Sequence, residues 1–122
     1  EFLNAAKYLS AYGNNNIILC LRGIRTFEQI EKESMRFTPD LGAILVLKEL
    51  TDLPIIFDPS HSAGNSLFVS DLAKAALCLG ADGLMIEVHN EPEKALCDSD
   101  QALSFDCFDT LIKNIGERYA RI

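Results

Sequence analysis

Apolar residues along this chain fall into two alternating rhythms. Phe2, Ala5, Ala6 and Leu9 recur at helical spacing, and Gly13 marks the end of that helix. Residues 17–21, Ile-Ile-Leu-Cys-Leu, form a short apolar run bounded by turn residues, the pattern of a strand buried on both faces. From Phe27 to Met35 the pattern is weakly helical and highly charged, and Phe37-Thr38-Pro39-Asp40 has room for a very short strand. Leu41, Ile44, Leu45 and Leu47 then predict a helix with Asp40 as its N-cap. Residues 54–58 predict a second buried strand. Val69, Leu72, Ala73, Ala76 and Leu77 predict a helix ended by Gly80, and residues 83–88 a third strand. Pro92 suits the first position of a short helical turn. Phe105, Phe108, Ile112, Ile115 and Tyr119 mark a final helix.

Strands alternating with helices imply an α/β fold with a parallel sheet and crossover connections. Two architectures share that order. A doubly wound dinucleotide-binding sheet usually carries a glycine fingerprint after a strand, and none is present. In a (β/α)8 barrel, polar chemistry gathers at the C-terminal strand ends. This chain concentrates its unusual residues there: Arg22-Gly23 after the first strand, Asp58-Pro59-Ser60-His61 after the second, and Glu87 to His89 at the end of the third. A complete barrel takes about 250 residues. A chain of 122 residues is therefore expected to be half of one, a single unit over residues 1–122. The sequence also opens on Glu1, inside a helical pattern, where an intact translation product starts with Met.

Composition narrows the function. Eleven Lys and Arg against 18 Asp and Glu give a net charge of -7. Phosphate backbones need a basic face, so nucleic acid and anionic membranes are not expected partners. No apolar run reaches the roughly 18 residues of a membrane span, and no charged-then-apolar leader is visible. The four cysteines show no C-x-x-C pair and read as reduced thiols, with Cys20 and Cys78 as small core residues. Met35 and Met85 read as filler.

Side chains alternate along a strand. One phase turns Cys20 and Arg22, Ile56 and Asp58, and Met85, Glu87 and His89 to the same face. Arg22, Asp58 and Glu87 then share one mouth. His61 follows Asp58 by three residues and Asp98 follows Glu87 by eleven. Neighbouring strands lie about 4.8 Å apart, so His61, Glu87 and Asp98 can converge around one ion. A His with two carboxylates suits Mn²⁺, Fe²⁺ or Zn²⁺ with open positions for substrate. The same three groups also suit the ordinary surface of an acidic chain, and Arg22 fits a structural ion pair as well as an anion clamp. His89 reads as a packing or supporting residue, and Glu91, Glu93 and Lys94 as a solvated loop face.

Three segments resemble a known family. Ile18-Leu19-Cys20-Leu21-Arg22-Gly23-Ile24-Arg25-Thr26-Phe27-Glu28, Asp58-Pro59-Ser60-His61-Ser62-Ala63-Gly64, and residues 80–89 with Pro92 to Leu96 and Asp98 are similar to the later half of the type I β 3-deoxy-D-arabino-heptulosonate 7-phosphate (DAHP) synthases. The resemblance runs from about Leu3 to Tyr119. The wider family includes 3-deoxy-D-manno-octulosonate 8-phosphate (KDO8P) synthase. The Ile24-Arg25-Thr26-Phe27-Glu28 run and Pro59 favour the DAHP branch.

The resemblance implies a (β/α)8 TIM barrel, of which this chain covers roughly strands 5 to 8. It implies a cytoplasmic, metal-dependent transferase at the entry to aromatic amino-acid synthesis, condensing phosphoenolpyruvate with erythrose 4-phosphate. By residue-wise correspondence His61, Glu87 and Asp98 are three metal ligands, and Arg22 grips the phosphoenolpyruvate phosphate. Asp58 lies near the aldose or a metal-bound water, so His61 and Asp58 are the expected catalytic pair. Arg25 and Arg36, near Arg22 in sequence, extend the anion-binding set. The family's metal cysteine lies in a Gly-Pro-Cys-Ser motif that this chain lacks, and Cys20 is not that cysteine. The Lys-Pro-Arg motif is also missing. The chain alone is therefore expected to be inactive. It is expected to need its other half or to dimerise through strand edges near 17–21 and 84–88, the intact protein being a homo-oligomer.

Overall fold

A computed structural model describes residues 1–27 and 35–119 of the chain. The charged stretch expected to be weakly helical falls mostly on 28–34, outside the described residues. The elements are α1 (Phe2–Ala11), β1 (Leu19–Leu21), α2 (Gly42–Leu50), β2 (Ile55–Phe57), α3 (Pro59–Ala63), α4 (Ser66–Cys78), β3 (Gly83–Leu84), a single 3₁₀ turn (Pro92–Lys94) and α5 (Phe105–Tyr119). The three strands form one parallel sheet in the order β1-β2-β3. Register pairs Cys20 with Ile56 and Ile56 with Gly83, and Leu21 with Phe57 and Phe57 with Leu84.

That register divides the sheet into two unlike faces. Leu19, Ile55 and Phe57 turn toward the helices and are buried with Ala6, Ile44, Leu47, Ala76 and Ala81. Burying a side chain of this size contributes about 1.5–3 kcal/mol. A third cluster joins Ala63, Val69 and Ala73 to Leu103 and Leu111, with Ile86 packed against it. The opposite face, carrying Cys20, Ile56 and Arg22, is only partly covered. Ile18 is 61% exposed and Met85 48% exposed. The expectation of strands buried on both faces thus holds on one face only. Met85 is no core filler but stands on the open side. Cys78 is likewise exposed at the end of α4 rather than in the core.

Local signals account for the helix ends. The helix begins at Gly42, so Leu41 and not Asp40 holds the N-cap position, but the Asp40 carboxylate one residue earlier still accepts from the Ala43 N–H at 3.2 Å. The Phe37–Asp40 segment reduces to one antiparallel bridge between Thr38 and Ile24. The third strand is shorter than 83–88 for a geometric reason. Its neighbour β2 ends at Phe57 and turns straight into α3, with Pro59 at the first helical position. The last bond along that edge runs from the Met85 N–H to the Phe57 carbonyl at 2.9 Å. Farther on, the Glu87 N–H donates to Ser60 Oγ at 3.0 Å, and Val88 pairs with Leu103 instead. The backbone beyond β3 is held by side chains and by a returning loop rather than by a ladder.

Candidate metal centre

The site is built where β2 becomes α3. Asp58 caps that short helix: one carboxylate oxygen accepts from the His61 N–H at 2.9 Å and the other meets His61 Nδ1 at 2.8 Å. Asp58 is fully buried. An ionised carboxylate only accepts, so the bond puts a proton on Nδ1, and in the neutral ring Nε2 then presents its lone pair. This carboxylate–imidazole pairing is how proteins fix the tautomer and ring direction of a metal-binding histidine. Nε2 faces Glu87 Oε2 and Asp98 Oδ2, each at 3.8 Å.

Those two carboxylates arrive by different routes. Glu87 follows β3 on the open face, and its backbone is tied to Ser60 in α3. Asp98 sits at the end of the loop that includes the 3₁₀ turn, with φ at 51°, the left-handed region that Asp tolerates better than most residues. One ligand atom from each of His61, Glu87 and Asp98 lies within 4.8 Å of the other two. Atoms bound at 2.0–2.2 Å to one tetrahedral ion sit about 3.5 Å apart, so small side-chain movements bring this set onto a divalent cation. The donor set also fits chemically: one imidazole and two carboxylates suit borderline divalent ions.

The surrounding arginines divide in role. Arg22 Nε lies 3.5 Å from Asp58 Oδ2, while its side chain remains 53% exposed. Arg36 donates to Asp98 Oδ1 at 2.9 Å. Arg25 is exposed, and among the described residues no hydrogen bond or ion pair links it to the cluster. With neutral His61, the three acids Asp58, Glu87 and Asp98 outweigh Arg22 and Arg36 by one negative charge, which favours a cation. Cys20, on the same face, is a poor thiolate: burial, then the Asp58 charge, push its pKa up, against a smaller opposing pull from Arg22.

The Arg36 segment is stitched to α3. The Arg36 N–H bonds the Ala63 carbonyl at 2.9 Å and the Phe37 N–H the Ser62 carbonyl at 3.0 Å. Gly64, at φ 65°, makes that approach possible, because a Cβ there would sit 2.5 Å from Arg36 Cβ. Gly23, at φ 83°, does the same beneath Phe37 and Ser62.

All three expected ligands are therefore brought together. Asp58 is placed behind His61, with both oxygens engaged inside the protein rather than open to a sugar. His89 accepts from the Glu91 N–H through Nδ1 at 3.0 Å, a turn-stabilising contact consistent with a supporting role. Glu91 pairs with Lys94 on the loop surface. Sequence reasoning missed Gln101, which is buried and donates to Glu87 Oε2 at 2.7 Å. Its surroundings in the sequence, Ser99-Asp100-Gln101, look like any polar loop, and only the fold places it beside Glu87.

Comparison with known proteins identifies the family of the chain. The profile described as "DAHP synthetase I family" matches residues 1–121. A phospho-2-dehydro-3-deoxyheptonate aldolase from Thermotoga maritima is 46% identical over 115 residues, covering 94% of this chain and 33% of that protein. A 2-dehydro-3-deoxyphosphooctonate aldolase from Geotalea daltonii is 35% identical, covering 84% of this chain and 39% of the other. A truncated form of 3-deoxy-D-arabino-heptulosonate 7-phosphate synthase from Thermotoga maritima superposes with a TM-score of 0.92 at 44% identity, over 99% of this chain and 45% of that one. The chain thus spans less than half the length of each of these relatives. Shared sequence along almost the whole chain, the same parallel α/β arrangement and the matching backbone together show that it belongs to the DAHP synthetase I family.

Proposed function

We propose that this chain forms strands five to eight of a (β/α)8 barrel. The intact protein is then a metal-dependent synthase that condenses phosphoenolpyruvate with erythrose 4-phosphate to give DAHP and phosphate. One observation carries the reading: His61 Nε2, fixed by Asp58, points at Glu87 and Asp98 from 3.8 Å on the open face of the sheet. His61, Glu87 and Asp98 are the proposed ligands of a divalent ion. When bound, that ion polarises the aldehyde carbonyl as a Lewis acid. The half-covered Cys20 and Ile56 and the exposed Ile18 and Met85 support a missing half that closes over this face.

The chain's own residues account for part of the reaction. Phosphoenolpyruvate C3 forms a bond to the aldehyde carbon, water adds at C2, and phosphate departs, so that two substrates and one water give one sugar acid and inorganic phosphate. The exposed guanidinium of Arg22 meets the phosphate dianion, a planar fork that lysine does not reproduce. Arg25, three residues from Arg22 in sequence, and the guanidinium N–H groups of Arg36 beyond its bonds to Asp98 and Gln101 are the further cationic groups proposed for anionic substrate. Asp58 keeps the proton on His61 Nδ1, leaving Nε2 free for the ion throughout. Greater identity to the heptonate than to the octonate relative favours erythrose 4-phosphate as acceptor.

The test is a product assay on the intact protein with phosphoenolpyruvate and either erythrose 4-phosphate or arabinose 5-phosphate, before and after chelation. Phosphate release with the four-carbon aldose, abolished by chelation and restored by Mn²⁺, is the expected result. Preference for arabinose 5-phosphate would move the protein to the KDO8P branch. Undiminished turnover in stringently metal-free protein would overturn the metal assignment.

A further inference from the structure

We infer that Gln101 is a positioning residue for the metal centre, a relay through which Arg36 holds Glu87 in its ligating orientation. The inference rests on the metal reading above and extends it to a residue that contacts no substrate and donates no ligand atom.

The argument begins with burial. Gln101 is only 2% exposed, and a buried amide has to place both its donors and its acceptor. Its Oε1 lies 3.3 Å from Arg36 Nη1, and its Nε2 donates to Glu87 Oε2 at 2.7 Å. A guanidinium can only donate, so the amide has one sensible orientation: oxygen toward Arg36, NH₂ toward Glu87. The Glu87 oxygen that receives this bond is the one facing His61 Nε2. Arg36 Nη1 also donates to Asp98 Oδ1, leaving Oδ2 toward His61. One guanidinium thus orients both acids, Asp98 directly and Glu87 through Gln101.

The backbone supports the relay at both ends. The Gln101 N–H bonds the Asp98 carbonyl at 3.2 Å, closing a tight turn between ligand and relay. The Leu103 N–H bonds the Glu87 carbonyl at 2.9 Å, holding the returning loop against the strand end. Arg36 is fixed against α3, the helix that carries His61, by its bond to Ala63. The relay therefore connects the three segments that supply the three proposed ligands. A neutral donor is the right chemistry here. It removes the rotational freedom of Glu87 without neutralising the charge that attracts the cation.

The experiment measures Mn²⁺ affinity of the intact protein by electron paramagnetic resonance, with thermal melting of the metal-free form as a folding control. Gln101→Met keeps the side-chain volume and removes both hydrogen bonds. Loss of a partner that orients a ligand typically weakens metal binding about 10–100-fold, and about tenfold is expected here. In an E87A background the same substitution should change affinity less than about twofold, because its target is gone. Q101L, also unable to hydrogen-bond, should repeat the effect if Q101M melts abnormally. Unchanged affinity in both variants, or an equal loss with and without Glu87, would overturn the relay. H61A separates the two levels: a tenfold or greater loss of Mn²⁺ binding in H61A supports the metal centre on which the relay rests. Wild-type binding in H61A would sink the metal centre itself.

Discussion

Two carboxylates at opposite ends of β2 use similar contacts to different ends. At the amino end, Asp82 accepts from the Ile55 N–H at 2.7 Å and pairs with Lys48 at 2.5 Å. At the carboxyl end, Asp58 accepts from the His61 N–H and faces Arg22. Asp82 is exposed and its charge is answered on the spot by Lys48. That hydrogen bond, more than the one from Ile55, lowers its pKa. Asp58 is buried, and it passes its charge on to an imidazole whose other nitrogen looks at two further acids. One end closes a strand start, and the other gathers His61, Glu87 and Asp98 into a cluster that carries net negative charge. In parallel α/β barrels the amino ends of strands serve stability and the carboxyl ends chemistry, and the proposed function gives this sheet the same division.

Substitution at each end should separate the two roles. The larger effect is expected at Asp58. Asp58→Asn in the intact protein keeps the volume and a capping oxygen but loses the charge that holds the Nδ1 proton. Mn²⁺ affinity should fall about 10–100-fold, read by isothermal titration. A loss smaller than twofold would mean that Asp58 serves only as a helix cap.

Asp82→Asn should leave Mn²⁺ affinity unchanged and cost at most about 1 kcal/mol of stability, since the Lys48 pair is solvent-screened. The sign of the pH effect follows from the lowered pKa. The contribution of Asp82 is complete above the unfolded value of 3.8 and disappears as the pH falls through the lower folded value. Acid melts of wild type and D82N should therefore differ near neutrality and converge below about pH 4. Curves that stay parallel throughout would show that the Asp82 charge contributes nothing.

The two ends were not equally legible in the sequence. Period and turn residues located every strand and most helices, because apolar runs between turns have few other places to go. The strand phase puts Arg22, Asp58 and Glu87 on one face, and the paired residues just before them, Cys20 with Ile56 and Ile56 with Gly83, keep that phase. The early end of β3 was not legible, since it depends on where β2 stops offering backbone partners. Cys78 looked like core because its neighbours are apolar, yet its position on α4 faces outward. The resemblance puts Asp58 near the aldose or a metal-bound water, and nothing in the sequence shows that both of its oxygens engage His61. Gln101 had no signal at all: its contact with Glu87 spans fourteen residues of loop and depends on Arg36 from a distant segment.

The central claim is that His61, Glu87 and Asp98 hold one divalent ion. Anomalous diffraction from crystals of the intact protein soaked in Mn²⁺ tests it most directly. The account predicts a peak about 2.0–2.3 Å from His61 Nε2 and from one oxygen each of Glu87 and Asp98, with the Nδ1 contact to Asp58 preserved. A peak elsewhere, or no peak at this cluster at saturating Mn²⁺, would contradict it.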